Sequence, residues 1–302
     1  MASGLVLVVS TFFAMQTYAA GFTFAALGDA PYYDHEEQPF IEMFAEMNRE
    51  PLAFAVHVGD FKSGHSVCSD ALYQQRRKWF ELSRHPFVFV PGDNDWTDCW
   101  RRFAGGYDPI ERLQALRAVF FSEAVSLGQR PLALTRQSDV DARHPYPEHA
   151  RWIHQGVVFA TLNVPGSDNN FARDRAEHKA RDAAVREWIA QAFRLAHGQQ
   201  LGAVVLIMQA NPWSVLGPRR AAFAPFFETL ISETLRFRGE VVLIHGDTHR
   251  YRVDRPLLDP GTRRPIRNFT RIEVYGSPSV NWVRVRVERV DGKVEFEATP
   301  GS

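Results

Sequence analysis

Three apolar runs between residues 22 and 93 decide the fold, and each ends in a Gly-Asp pair: FTFAALGD (22–29), LAFAVHVGD (52–60) and HPFVFVPGD (85–93). Continuous apolar runs of this kind, bounded by Gly or Pro, are typical of strands that are buried on both faces of a sheet. Apolar residues at helical spacing separate the runs, over 36–47 and 71–83. The order strand, helix, strand, helix, strand predicts parallel pairing with right-handed crossovers.

The rest of the chain continues the α/β pattern and then changes. Periodicity predicts further helices over 110–121, 173–196 and 223–235, and further strands over 157–164, 201–208 and 241–245. The tail alternates apolar and polar residues, which predicts an antiparallel meander with strands over 270–275, 282–288 and 293–297 and a DGK hairpin turn (291–293). Since no linker or internal repeat divides it, the chain is predicted to form a single domain over 21–302.

Composition excludes several classes of protein. The 302 residues include 35 basic and 35 acidic side chains, so the net charge is zero and argues against an electrostatic nucleic-acid binder or a polybasic membrane binder. A hydrophobic content of 45% excludes general disorder. Two Cys are too few for a disulfide scaffold or a Cys-rich zinc fold. We therefore expect a globular α/β protein.

The N-terminal stretch 4–20 (GLVLVVSTFFAMQTYAA) resembles a secretory signal peptide, with cleavage after Ala19 or Ala20, although no basic residue precedes it. It is short for a membrane span, so no stable span is expected in the mature chain. This predicts a secreted or periplasmic protein. The alternative is a buried first strand in a protein that retains residues 1–20 and stays cytoplasmic.

Cys68 and Cys99 are candidates for a disulfide bond. Both follow loops that the strand pattern brings near each other, and thiols pair in an oxidising compartment. The alternative is two unpaired, buried thiols.

Polar clusters follow five of the predicted strands: Asp29, Asp60, Asp93-Asn94-Asp95, Gln209-Ala210-Asn211 and His245-Gly246-Asp247-Thr248-His249. Ligands of open α/β sheets bind just beyond the carboxyl ends of the strands. Several carboxylates that converge there repel each other unless a cation lies between them. The pattern therefore predicts a metal centre.

In their order and spacing, these clusters resemble the motifs of the calcineurin-like metallophosphoesterases: D-x-H, G-D, G-N-H-D/E, a lone His and G-H-x-H. The resemblance covers residues 22–285. It implies an α/β fold of the four-layer α/β/β/α type with mixed sheets, and phosphoester hydrolysis with two bound metal ions. By matching position, it assigns the metal ligands Asp29 and His249 (first metal), Asp60 (bridging), and Asp93, Gln209 and Asp247 (second metal).

The sequence departs from that family where the family has histidines. Pro31 stands at the first of these positions, so Tyr32 or His35 is the alternative ligand. Carboxylates and amides replace imidazoles at the second metal, and all-oxygen ligation favours hard ions. We therefore expect two divalent ions, Mg²⁺ or Mn²⁺ in preference to Zn²⁺ or Fe.

Asn94 replaces the catalytic histidine of the family and has no proton to transfer to a leaving group. The candidate catalytic residues are Asn94, Asp95 and His245, with His35 and His65 as further proton donors. Substrate contacts are predicted for Asn94, Arg101 and Asn211. An Arg beside a metal site can hold a phosphate through two hydrogen bonds, but Arg101 is equally suited to pairing with Asp95 or Asp98.

Two functional hypotheses follow. The first is an exported, metal-dependent phosphoester hydrolase acting on a phosphorylated small molecule or another phosphoester. The second is a degenerate relative that binds a metal or an anionic ligand without turnover. No G-x-S-x-G or G-x-x-x-x-G-K-[S/T] motif occurs, which argues against serine hydrolase and P-loop chemistry.

Overall fold

The computed structural model describes residues 21–301, so the predicted signal peptide (1–20) lies outside the described residues. The helices are α1 (Asp34–Met47), α2 (Asp70–Phe80), α3 (Pro109–Phe120), α4 (Gln137–Val140), α5 (Arg175–Gly198) and α6 (Ala224–Arg236). The strands are β1 (Phe22–Leu27), β2 (Ala55–His57), β3 (Phe87–Phe89), β4 (Thr135–Arg136), β5 (Ala150–His154), β6 (Val157–Thr161), β7 (Ala203–Ile207), β8 (Glu240–His245), β9 (Arg252–Asp254), β10 (Phe269–Glu273), β11 (Val283–Val290) and β12 (Lys293–Pro300). None of the helices between residues 21 and 301 has the length and apolar character needed to cross a membrane.

The first sheet has the strand order β12-β11-β1-β2-β3. Strands β1, β2 and β3 pair in parallel, as predicted, with Leu27 opposite His57 and His57 opposite Phe89. The β11–β12 hairpin lies antiparallel to β1 and turns at Asp291 and Gly292, where φ is 50° and 79°. Positive φ at both central residues is the geometry that two-residue hairpin turns require.

The second sheet has the order β4-β5-β6-β7-β8-β10-β9. Strands β6, β7, β8 and β10 are parallel, and β4, β5 and β9 are antiparallel at the edges. The tail differs here from the predicted meander: β10 pairs in parallel with β8, and only β11 and β12 form an antiparallel C-terminal pair. Alternation of polar and apolar residues indicates that a strand has one solvent-exposed face, but it does not indicate which sheet the strand joins.

The two sheets pack face to face across a core that contains Phe24, Val56, Phe159, Val205 and Ile244. Helices α1, α2 and α3 cover the outer face of the first sheet, and α5 and α6 cover the outer face of the second. The predicted four-layer α/β/β/α order with mixed sheets is therefore confirmed. It brings the carboxyl ends of the parallel strands of both sheets to one edge of the sandwich.

A disulfide joins Cys68, just before α2, to Cys99, in the turn of 3-10 helix after β3, and their Cα atoms are 5.8 Å apart. It connects the loop that follows β2 to the loop that follows β3. Both loops carry candidate site residues.

Candidate metal and phosphoester site

The predicted site residues lie where the parallel strands of both sheets end. Asp29, Asp60 and Asp93 follow β1, β2 and β3 of the first sheet, while Gln209 and Asp247 follow β7 and β8 of the second. The Gln209 amide nitrogen lies 3.4 Å from Asp29 Oδ1 and 3.2 Å from Asp60 Oδ2. Side chains far apart in sequence therefore meet at one edge, as the strand-end rule predicts.

Four candidate ligands have a backbone conformation that non-glycine residues rarely adopt. The φ angle is 49° at Asp29, 58° at Asp60, 78° at Asp247 and 57° at His249. Each such conformation costs about 1–3 kcal/mol and persists where surrounding contacts impose it, typically at functional sites. Four of the eleven described non-glycine residues with positive φ are thus candidate ligands that follow strand ends.

Glycines allow the backbone to approach these carboxylates closely. A Cβ atom at Gly92 would lie 2.1 Å from Asp60 Oδ1, and one at Gly246 would lie 1.8 Å from Asp29 Oδ2. No other residue fits at either position. The glycine of such a Gly-Asp pair therefore leaves room for the carboxylate that follows a neighbouring strand, and it also allows the turn.

Asp60 is at the centre of the hydrogen-bond network. Its Oδ1 accepts from the Asn94 backbone N–H at 2.9 Å. Its Oδ2 accepts from the side-chain amides of Asn94 at 2.9 Å and Gln209 at 3.2 Å, and from the Tyr32 hydroxyl at 3.1 Å. Asp60 thus contacts residues from both halves of the site, the position expected of a bridging carboxylate.

His249 is held in one tautomer beside Asp29. Its Nδ1 donates to the carbonyl oxygen of Ser277 at 2.7 Å, and its Nε2 faces Asp29 Oδ1 at 3.8 Å. Metal-binding histidines are commonly oriented by such a bond from the other ring nitrogen. Both Asp29 oxygens accept from the Asp247 backbone N–H, at 3.1 and 3.0 Å.

Asp93 and Asp247 meet beside Gly166, in the loop after β6. A Cβ atom at Gly166 would lie 2.8 Å from the Oδ1 of each carboxylate. Ser167 Oγ donates to Asp93 Oδ2 at 2.7 Å, and the Asn211 backbone N–H donates to Asp247 Oδ2 at 2.8 Å. One oxygen of each carboxylate is thus held by the protein and the other faces a shared space.

Gln209 is oriented differently from what the sequence suggested. Its side-chain oxygen accepts from the Gly166 backbone N–H at 2.5 Å, so its amide nitrogen is turned toward Asp29 and Asp60. In this orientation Gln209 donates hydrogen bonds and offers no oxygen to a cation. A half-turn of the amide, with loss of the Gly166 bond, is needed before Gln209 can act as a ligand.

Burial and mutual repulsion set the electrostatics of the site. Burial, reinforced by the charges of Asp247 and Asp93, raises the pKa of Asp29 well above its usual value. Burial, with the charges of Asp93, Asp95 and Asp29, does the same to the pKa of Asp60. Burial and Asp93 raise the pKa of Asp247 to about 7. Carboxylates in this state favour a nearby cation.

Asp95, a predicted catalytic residue, instead connects two loops. Its Oδ2 accepts from the backbone N–H groups of Asp60 and Gly92, both at 2.8 Å, and its Oδ1 from that of Phe61 at 3.0 Å. Burial raises the pKa of Asp95 to about 6, and these bonds oppose the shift. Both oxygens are thus occupied by backbone groups, which gives Asp95 a positioning role.

His245 is not brought to the carboxylates. It is fully buried, its Nδ1 lies 2.8 Å from the carbonyl oxygen of Gly246, and its ring is 6.2 Å from that of Trp213. Burial lowers the pKa of His245 to about 3, so the ring is neutral at physiological pH. At this position His245 does not provide the proton transfer that the sequence suggested for it.

The other predicted side chains border the site. Arg101 pairs with Asp98 at 2.6 Å, one of the two alternatives left by the sequence, and its Nη1 lies 3.2 Å from the Cβ position of Gly64, next to Asn94. Asn211 positions Asp247, through its backbone, and Thr248, through its side chain at 2.9 Å.

His35 and His65 are exposed. His35 stacks on Tyr33 and His65 stacks on Phe103, with ring centroids 5.6 and 4.4 Å apart. His65 is next to Gly64, which brings it to the rim that contains Asn94 and Arg101.

Sequence reasoning missed Lys62. It is fully buried, and its ammonium donates to the carbonyl oxygens of Ser63 and Ser66, both at 3.0 Å. Burial lowers the pKa of Lys62, whereas the charges of Asp95 and Asp60 act in the opposite direction. Lys62 is thus held in one orientation beside the loop that carries Asp60. The sequence signal that could have indicated Lys62 as a site residue is its position two residues after the second Gly-Asp pair.

The chemistry of the donor set fits divalent ions. The raised pKa values of Asp29, Asp60 and Asp247 arise in part from repulsion that a dication would remove, and His249 offers a lone pair beside them. Among residues 21–301, however, no three His, Cys, Asp or Glu side chains form a closed ligand group as they stand.

Comparison with known proteins supports the fold. No family model matches the sequence, and no curated protein matches it. The structure is similar to that of GAP50, described as the anchor in the inner membrane complex of Plasmodium, with a TM-score of 0.56 and 11% identity over 94% of this chain and 85% of that one. It is also similar to PhoD, with a TM-score of 0.54 and 12% identity over 93% of this chain and 69% of that one. At these identities the likeness shows a shared fold, which agrees with the four-layer α/β/β/α order predicted from the sequence.

Proposed function

We propose that this protein is a metal-dependent phosphoester hydrolase with an oxygen-rich site. The observation that carries the proposal is the convergence of Asp29, Asp60, Asp93 and Asp247 with His249 where the strands of both sheets end, with positive φ at all of these residues except Asp93. Strained backbone and like charges in one crevice persist only where other contacts or a ligand compensate for them. The calcineurin-like fold is consistent with this activity.

Asp29, Asp60 and His249 would hold one divalent ion, and Asp60, Asp93 and Asp247 the second. When bound, such ions neutralise phosphoryl charge and lower the pKa of a water molecule. The chain supplies orientation: the Asn94 amide donates to Asp60 at 2.9 Å and to the Tyr32 hydroxyl at 3.1 Å, at the rim that contains Arg101. Arg101 can donate to phosphoryl oxygens there, whereas both hydrogens of the Asn94 amide already bond to Asp60 and Tyr32. Neither residue supplies a proton to the leaving group.

A second candidate function is ligand binding without turnover. The observation that favours it is that Asp60 already receives four donors from the protein, namely the Asn94 backbone and side chain, Gln209 and Tyr32. A carboxylate satisfied in this way needs no ion to remain buried.

Activity of the purified full chain on 4-nitrophenyl phosphate, measured after chelation and after adding Mg²⁺, Mn²⁺ or Zn²⁺, distinguishes the two functions. We expect activity to return with Mg²⁺ or Mn²⁺. We expect Asp60→Asn to lower the activity more than removal of a group that only supports a metal ligand does, which costs about 10–100-fold. Asp34→Asn, at an exposed position in the first turn of α1, is the matched control and should leave activity unchanged. Ion binding without turnover of any phosphoester would instead support the second function.

We also propose that the protein is exported. The disulfide between Cys68 and Cys99 supports this, because such bonds persist in oxidising compartments. Fusing residues 1–20 to a reporter that is active only outside the cytoplasm tests it. A reporter that stays inactive would contradict export.

A further inference from the structure

A cavity beside the candidate metal site has arginines as its only charged lining residues. Its volume is ≈ 470 Å³. The residues that matter here come from the loop after β7, the loop after β8 and strands β9 and β10: Asn211, Trp213, Thr248, Arg250, Arg252 and Arg271. No carboxylate is among the described residues that line it, whereas Asp29, Asp60, Asp93 and Asp247 meet in the neighbouring crevice.

The cavity adjoins the candidate metal ligands directly. Asn211 lines it and donates its backbone N–H to Asp247 Oδ2 at 2.8 Å, while its side chain donates to Thr248 Oγ1 at 2.9 Å. Thr248 lies between Asp247 and His249 in the sequence. Asn211 and Thr248 therefore place the cavity next to Asp247, where the phosphoryl group of a substrate would lie under the proposed function.

Two carboxylates, the buried Glu273 and the exposed Asp254, hold Arg252 and Arg271 in place. Glu273 is fully buried and pairs with Arg252 Nε at 2.8 Å, and it also accepts from the Arg250 backbone N–H at 3.2 Å. Asp254 takes two hydrogen bonds from Arg271, at 2.7 and 2.5 Å. Because these acids lie outside the lining, the cavity itself presents guanidinium groups.

Arg250 carries the charge that is not compensated. Its side chain is exposed, and among residues 21–301 it forms no ion pair; only its backbone contacts Glu273. The guanidinium of Arg271 lies over the Trp213 ring at 5.0 Å, which gives the cavity a rigid aromatic wall. Guanidinium groups are the preferred protein ligands of phosphate because they donate pairs of parallel N–H groups.

We infer that this cavity is a subsite for a second phosphate group of the substrate. The inference rests on the proposed function, since the first phosphate is the one at the metal-binding residues. The substrate class is then an organic phosphoester with two phosphates: one is hydrolysed beside Asp60 and Asp247, and the other is held by Arg250 and Arg252 without reacting.

Binding of inorganic phosphate to chelated protein tests the subsite independently of catalysis. Isothermal titration should show phosphate binding that Arg250→Ala weakens about tenfold or more, as expected for loss of hydrogen bonds to a charged group. Arg250→Lys should retain part of the affinity. Arg255→Ala is the matched control, because Arg255 is exposed and outside the cavity lining. Arg250 is the position of choice because its side chain does not support the buried Glu273.

Kinetics with Mn²⁺ then test whether the substrate occupies the subsite. Arg250→Ala should raise KM about tenfold for a hexose bisphosphate and leave KM for the monophosphate unchanged. Equal phosphate binding by the wild type and Arg250→Ala, or an equal rise of KM for both esters, would overturn the inference. Phosphate binding that depends on Arg250, in a protein that hydrolyses neither ester, supports the subsite while it overturns the hydrolase proposal.

Discussion

Asn94 occupies the position at which the family that the motifs resemble has its catalytic histidine. Its amide donates to Asp60 and to Tyr32 and so orders the site, but it cannot protonate a leaving group. The consequence should be greatest for substrates whose leaving group is a poor one.

Replacing Asn94 by His should therefore raise kcat selectively for substrates that react slowly. We expect Asn94→His to raise kcat for an alkyl phosphate by about 10²-fold, because general acid catalysis contributes about 10²–10⁴-fold. It should change kcat for 4-nitrophenyl phosphate little, since 4-nitrophenolate leaves without protonation. Asn94→Ala is the control and should slow both. An equal change for the two esters would argue against a missing general acid.

Metal preference is also decided by single residues. The side chains proposed as ligands beside Gly166, Asp93 and Asp247, are oxygen donors, so Mn²⁺ and Mg²⁺ should compete better against Zn²⁺ here than at imidazole sites. The double change Gln209→His and Asp247→His should shift the ratio of dissociation constants, measured by titration calorimetry, toward Zn²⁺. Asp34→Asn serves as the neutral control. Wild-type protein purified with two tightly held zinc ions would contradict this expectation.

At the scale of elements, the Cys68–Cys99 bond holds the loop after β2 against the loop after β3. It closes a loop with a sequence separation of 31, for which chain entropy gives about 3–4 kcal/mol. We expect Cys68→Ser with Cys99→Ser to lower the free energy of unfolding by about that amount. Adding reductant should destabilise the wild type and leave the double variant unaffected. Two free thiols in denatured, unreduced protein would remove the basis for this prediction.

Strand β2 carries a buried histidine at its end. His57 packs against Phe40, Phe80 and Phe89, accepts from the Gly59 backbone N–H at 3.1 Å, and has its pKa lowered to about 3 by burial. The folded state keeps this ring neutral, whereas the unfolded chain protonates it near its usual pKa of 6.5. Its contribution to stability is therefore complete above pH 6.5 and is lost as the pH falls toward 3.

Chemical unfolding at several pH values checks this sign. Between pH 6.5 and 5 the wild type should lose about 2 kcal/mol more than His57→Leu does, since each proton taken up contributes about 1.4 kcal/mol per pH unit. His197→Leu, at an exposed position near the end of α5, should keep the wild-type slope. Parallel pH profiles for the wild type and His57→Leu would contradict the burial argument.

At the scale of the whole molecule, the site joins the two sheets at one edge. An ion bound there should contact loops from both sheets, so its binding energy should stabilise the entire sandwich. With Mn²⁺ at about 100 times its dissociation constant, we expect the free energy of unfolding to rise by about 3 kcal/mol. Scanning calorimetry should show one transition that moves up by several degrees. Asp60→Asn should show no shift, and a shift of the same size in that variant would place the ion elsewhere.

Local patterns in the sequence predict much of this architecture. The spacing of apolar residues is a property of each segment, and it correctly indicates the parallel order of β1, β2 and β3, the helices between them and the turn at Asp291. The sheet that β10 joins is not predicted, because an alternating strand satisfies its burial equally well in either sheet.

The sequence by itself determined which residues stand at the strand ends: Gly-Asp pairs and neighbouring polar residues are local signals, and a parallel α/β sandwich brings them to one edge. Only the tertiary structure decided how each side chain is used. The Gln209 amide nitrogen points to Asp29, 180 residues away in the sequence, because the Gly166 backbone N–H binds the amide oxygen. His245 is buried in the core, and Arg250 lines a cavity that no sequence motif indicates. The physical reason is that an amide, imidazole or guanidinium takes its orientation from hydrogen-bond partners in other elements, which spacing along the chain does not encode.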